Sequence, residues 1–146
     1  MNTRMRSWRA TDGRASLSAP RWLAQQAFRQ GDIPAVRLFA RAFCARAGIG
    51  SARLADFVLA VSESAACATA VGPCTARVRL WMTGPRAFCE VRGDGMLRRA
   101  ARGTLPPGLA GEEGVLRRLV LWRISDHVSF ASGDDGVRVL LSMTVC

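Results

Sequence analysis

Between Asp32 and Gly48, the apolar residues Val36, Phe39, Ala40, Phe43 and Ala47 recur at the three- and four-residue spacing of one helix face, while Arg37, Arg41 and Arg46 fall mostly outside that stripe. Asp32 stands as an N-cap candidate, Pro34 sits in the first turn and Gly48 reads as a stop, so the stretch is predicted to be a helix. A second helix is predicted from Ser51, another N-cap candidate, to about Ala70, with Leu54, Phe57, Val58, Val61, Ala65 and Ala68 on its apolar stripe and Gly72-Pro73 as its break. Upstream, Trp22 to Phe28 suits a short strand and a helical turn equally. Residues 1–19 are rich in Arg and Ser, with few large apolar residues apart from Trp8; they are expected to form a disordered basic tail ahead of a single domain over 20–146.

The period then changes. In residues 75–83, Ala76, Val78, Leu80 and Met82 alternate with Arg77 and Arg79, as in a half-buried strand. Gly84-Pro85 turns the chain, and residues 87–91 are its expected antiparallel partner. Residues 92–113 hold five glycines and the Pro106-Pro107 pair without periodicity, which reads as a lid, a binding loop or a disordered segment. A helical pattern returns over 114–124, with Val115, Leu119 and Trp122 along one side. The chain ends in a hairpin, 126–132 and 137–145, around Gly133-Asp134-Asp135-Gly136. The expected fold is α+β: a two-layer sandwich with a mixed, mostly antiparallel sheet and helices on one face.

Composition narrows the chemistry. All 21 basic residues are arginine, so a P-loop, a Schiff-base enzyme and the ordinary protein-kinase ATP site, each built on lysine, are excluded. His127 is the sole histidine, and the five cysteines (Cys44, Cys67, Cys74, Cys89 and Cys146) include no C-x-x-C pair; they read as buried reduced thiols. No apolar run has the length of a membrane span, and a cytoplasmic protein is expected. The formal net charge of +10 invites a nucleic-acid partner, but the arginines are spread along the chain without interleaved aromatics, which disfavours that reading. Trp81 and Trp122 are expected in core or edge packing, and His127 near the surface.

The segment Leu59-Ala60-Val61-Ser62-Glu63 resembles the helix motif LAVSELVTNAVRH of the bacterial anti-sigma-factor branch of the histidine-kinase-type ATPases, and the element order over roughly residues 30–145 resembles that family's order. The resemblance implies a histidine-kinase-type ATPase fold. It makes Glu63 the counterpart of the glutamate that positions or deprotonates the attacking hydroxyl. Four residues later the family has an asparagine that holds Mg²⁺ against the phosphates; this chain has Cys67, a soft ligand unsuited to a hard ion. The only asparagine is Asn2, in the tail. The family's Asp-x-Gly-x-Gly motif has Gly93 in the place of its adenine-binding aspartate and Leu97 in that of its second glycine. Asp94 and Gly95 remain, with Asp94 one residue late and turned to the other side unless a bulge restores it. The glycine-rich phosphate loop is matched by Glu112-Glu113-Gly114, where two carboxylates stand in the path of phosphate charge yet suit a helix N-terminus. The last glycine motif is matched by Gly136, which equally suits a hairpin turn.

The resemblance therefore implies a regulatory protein like an anti-sigma factor, which binds a sigma factor or an antagonist protein, in some members as a homodimer. Nucleotide binding, whether of ATP or ADP, is expected to be weakened or lost, and magnesium with it. The reading leans against an enzyme. The alternatives are an ATP-binding serine kinase of the same family, with Glu63 as its catalytic residue, and a basic nucleic-acid-associated module. For Glu63, the plain alternative is a helix-surface carboxylate paired with a nearby arginine.

Overall fold

A computed structural model describes residues 21–69, 75–93, 111–133 and 136–145. Their order is β1 (Arg21–Arg29), α1 (Ile33–Ala47), α2 (Ser51–Ala68), β2 (Thr75–Thr83), β3 (Arg86–Gly93), α3 (Gly111–Ile124), β4 (His127–Gly133) and β5 (Gly136–Thr144). The five strands form one sheet in the order β1-β2-β3-β5-β4, and every neighbouring pair is antiparallel. The described sheet is thus not mixed, as the sequence had suggested, but wholly antiparallel. No described helix is long and apolar enough to cross a membrane.

The ambiguous stretch at Trp22 is a strand, the edge strand β1. Its start is irregular: the register with β2 slips between Arg21 and Ala24, and Trp22 takes a positive φ of 61°. A bulge of this kind bends an exposed edge away from further pairing.

α1 begins and ends where its signals stand. Asp32 is the N-cap residue, although its carboxylate accepts a hydrogen bond from the Arg29 backbone N–H at 3.0 Å and caps no helix amide. Gly48 closes the helix at φ 74°, a left-handed conformation that glycine adopts without a Cβ penalty. α2 is capped one residue earlier than expected, with Gly50 as N-cap and Ser51 the first residue of the helix.

The core is a layer between the helices and one face of the sheet. Val78, Leu80 and Met82 of β2, Cys89 and Val91 of β3, and Val139, Leu141 and Met143 of β5 meet Val36 and Phe43 of α1 and Phe57, Val61, Ala65 and Cys67 of α2. Phe43 and Phe57 lie with ring centroids 5.9 Å apart, joining the first two helices. The period-two pattern of the strands and the 3.6-residue pattern of α1 and α2 thus converge on one apolar layer.

α3 differs. It starts at Gly111, inside the stretch expected as loop, and its apolar side is not a core side: Val115, Leu116, Leu119 and Trp122 are exposed, while Gly114 and Leu121 are buried. Trp122, expected in packing, is 45% exposed and carries the Arg118 guanidinium over its ring at 5.8 Å. The proposed tail over 1–19 and most of the long loop lie outside the described residues.

Candidate functional site

α2 is the central helix, packed on α1, on α3 and on β2, β3 and β5. Glu63 and Cys67, one turn apart, lie on the side that meets α3. Glu63 Oε1 stands 3.9 Å from Arg117 Nε, and Arg117 Nη1 stands 3.8 Å from Glu113 Oε2. One guanidinium thus lies between two carboxylates from different helices. Both distances are those of loose ion pairs, and Glu113 is largely exposed, so each pair adds little to stability. Glu63 has the arginine partner that the plain reading of that residue foresaw.

Cys67 is 1% exposed. Burial pushes its thiol up to about 12, against the opposing pull of the Arg117 and Arg118 guanidiniums, with Glu63 adding to the rise. A cysteine binds metal as thiolate, and this one stays neutral across the physiological range. At the rung where the resemblance places a magnesium ligand, the chain thus has a protonated, core-packed thiol. Cys44 and Cys89 are also free and buried; Cys44 is pushed up to about 11, and Cys89 is raised further, by burial and by the neighbouring Glu90 charge. Cys74 and Cys146 lie outside the described residues.

Gly93 ends β3 against the last residue of α2. A Cβ built on Gly93 would stand 2.6 Å from the Ala68 carbonyl oxygen, inside the contact limit of any side chain. The position that matches the family's aspartate therefore has room for glycine alone. This is a packing reason for the residue that the sequence did not disclose.

Of the remaining expected residues, Asp94 and Gly95 lie outside the described residues. Gly114 is placed differently from the expectation: it is buried within the first turns of α3, not in a loop that opens the helix. Glu112 and Glu113 precede it in the first turn, where carboxylates favour the positive end of the helix dipole. Gly136 opens β5 at φ 104° and pairs with Gly133 of β4, which fits the hairpin reading. The sequence missed Arg117. Its four-residue spacing from Glu113 was a usable signal for one of its contacts, but the contact with Glu63 depends on how two helices pack.

The other face of the sheet is a second candidate. Trp81 and Leu140 are buried yet do not belong to the helix-side core cluster. Trp81 stacks on Phe88 of β3, with centroids 5.2 Å apart and planes 4° apart, and the Arg79 guanidinium lies 5.7 Å above the Trp81 ring. Glu90, its side chain 4% exposed, faces Arg79 Nη1 at 3.3 Å through one oxygen and Arg138 Nε at 3.7 Å through the other. Next to this clamp, Arg77 of β2, Arg92 of β3 and Arg138 of β5 occupy one cross-strand row, since Arg77 pairs with Arg92 and Arg92 with Arg138. Arginines and aromatics that are separated along the chain are thus neighbours across strands.

No protein-family model matches the chain, and no curated protein matches it.

Proposed function

We propose that the chain is a regulatory protein that acts by binding a protein partner, on a fold similar to the anti-sigma-factor ATPases, with nucleotide binding weakened or lost. The observation that carries this reading is Cys67. Its thiol is buried and neutral at the rung where the resemblance calls for a magnesium ligand. The close approach of Gly93 to Ala68 supports it, because no side chain fits where the resemblance calls for an adenine-binding carboxylate. So does the helix–helix–strand–strand–helix–strand–strand order that follows β1. Glu63, the residue that would orient the attacking hydroxyl in a serine kinase, sits instead beside Arg117. The partner in this reading is a sigma factor or an antagonist protein, bound by a monomer or a homodimer in the cytoplasm.

Thermal melts with millimolar Mg-ATP, Mg-ADP and ATP in EDTA test the nucleotide half of the proposal. A ligand present at 100 times its dissociation constant stabilises by about 2.7 kcal/mol, a visible shift. The expected result is no magnesium-dependent shift; a shift that EDTA abolishes would favour the kinase reading. Co-purification with a sigma factor at physiological salt tests the partner half.

A further inference from the structure

The face of the sheet away from the core has a feature that costs stability. Arg77, Arg92 and Arg138 stand directly opposite one another on three adjacent strands, and like charges in cross-strand register repel. Arg138 is drawn toward Glu90, while Arg77 and Arg92 are exposed and form no ion pair with the described residues. With Arg29, Arg79 and Arg86, the described strands set six arginines on this face against the carboxylate of Glu90. A second copy of the chain laid on it would set arginine against arginine.

We propose that this face is a docking surface for single-stranded nucleic acid, with phosphates along the Arg77–Arg92–Arg138 row and bases toward Phe88. The row crosses the strands, whose spacing of roughly 4.8 Å lets the long arginine side chains reach consecutive phosphates. The guanidinium fork matches phosphate oxygens in pairs. Four residues along β3 from Arg92, on the same face, lies half-buried Phe88, its ring stacked on Trp81; an aromatic near a basic row is the platform on which unpaired bases stack. Between them, Glu90 clamps Arg79 and Arg138 in place. An acidic protein segment would use the arginines but gain nothing specific from the rings, so the aromatic pair favours nucleic acid.

The test measures fluorescence anisotropy of a labelled twelve-residue oligothymidylate with the full chain, the Arg77→Gln/Arg92→Gln variant, Phe88→Ala, and a form lacking residues 1–19. Three phosphate contacts give a salt slope of about −2 and a loss of roughly 20-fold between 50 and 200 mM salt. The double variant is expected to bind at least about tenfold more weakly and to reduce the slope by about 1.4. Phe88→Ala is expected to weaken binding at an unchanged slope. Both arginines are exposed, and their removal relieves repulsion, so a melting temperature equal to or above wild type keeps the result from being one of misfolding. The proposal is overturned if the double variant keeps full affinity while the truncated form loses it, because the tail would then be the binder. It is overturned equally if a glutamate dodecapeptide binds as tightly as the oligonucleotide, which would assign the face to an acidic protein.

Discussion

The two faces of the sheet are built from the same strands and follow different rules. Toward the helices, the strands present Val78, Leu80, Cys89, Val91, Val139 and Leu141, all closely packed in one cluster. On the other side the same strands present Arg77, Arg79, Trp81, Phe88, Glu90, Arg92, Arg138 and Leu140. The first face minimises exposed apolar area and would serve many sequences equally well. The second holds a buried carboxylate, repelling arginines and a stacked ring pair, none of which a stable sandwich requires. A face that departs from the rules of stability is where function is to be sought.

The largest expected effect comes where the helix layer and the sheet are closest. Gly93→Asp would force a Cβ to within 2.6 Å of the Ala68 carbonyl oxygen, and backbone on both sides leaves little that can give way. A loss of about 4 kcal/mol is expected in urea unfolding, at the upper end for a single substitution. A neutral result would mean that α2 and β3 part easily there, and that room exists for a carboxylate where the resemblance places one.

Neighbouring leucines on β5 compare the two faces directly. Leu141 is enclosed in the helix-side cluster, whereas Leu140 is buried on the opposite face, outside it. Leu141→Ala is expected to cost about 3 kcal/mol, and Leu140→Ala about half as much, because Leu140 lies outside the helix-side cluster, where the site can collapse more readily around the lost side chain. Equal losses in denaturant titrations would show that both faces are packed as true cores. Glu90→Gln comes next, at about 1–2 kcal/mol. It leaves Arg79 and Arg138 without their shared carboxylate, but the 40% exposure of the Arg79 side chain moderates the cost through solvent screening.

What the sequence made legible follows from these rules. The period-two alternation of β2 and the stripes of α1 and α2 are products of the covered face, and they located those elements to within a residue or two. The strand at Trp22 was ambiguous because a bulge with a positive φ breaks the alternation at its start. α3 was visible as a helix, but its apolar side was not the side that packs, since Val115, Leu119 and Trp122 face outward while Gly114 is buried. Residue substitutions at the candidate site could be read directly: Cys67 and Gly93 stood out against the motif. Their consequences could not be, because the neutral thiol and the Ala68 contact depend on burial and on the approach of a helix to a strand. The arginine–aromatic face was invisible for the same reason. Arg77 and Arg138 are adjacent to Arg92 only through strand pairing.

The smallest effect belongs to the rim where the layers are tied together. Asp126, between α3 and β4, accepts hydrogen bonds from the Thr144 backbone N–H at 2.7 Å and from its hydroxyl at 2.9 Å. From the helix side, Arg53 Nε donates to the Thr144 carbonyl oxygen at 2.9 Å. The two Thr144 hydrogen bonds hold the Asp126 carboxyl below its ordinary value of 3.8, with the Arg53 and Arg86 guanidiniums adding to the effect. A carboxylate depressed on folding stabilises the native state above its unfolded pKa, and that contribution fades as pH falls through the lower, folded value. Asp126→Asn is therefore expected to lower the melting temperature slightly near pH 7, with the gap to wild type closing as pH falls below the ordinary carboxylate value. Because Asp126 is exposed, the gap should be small and should survive moderate salt better than a surface ion pair, since two hydrogen bonds and not a single charge contact maintain it. A gap that stayed constant from pH 7 to pH 2 would mean that the Thr144 contacts are lost in solution, and that the end of β5 is not fastened to the helix layer at this rim.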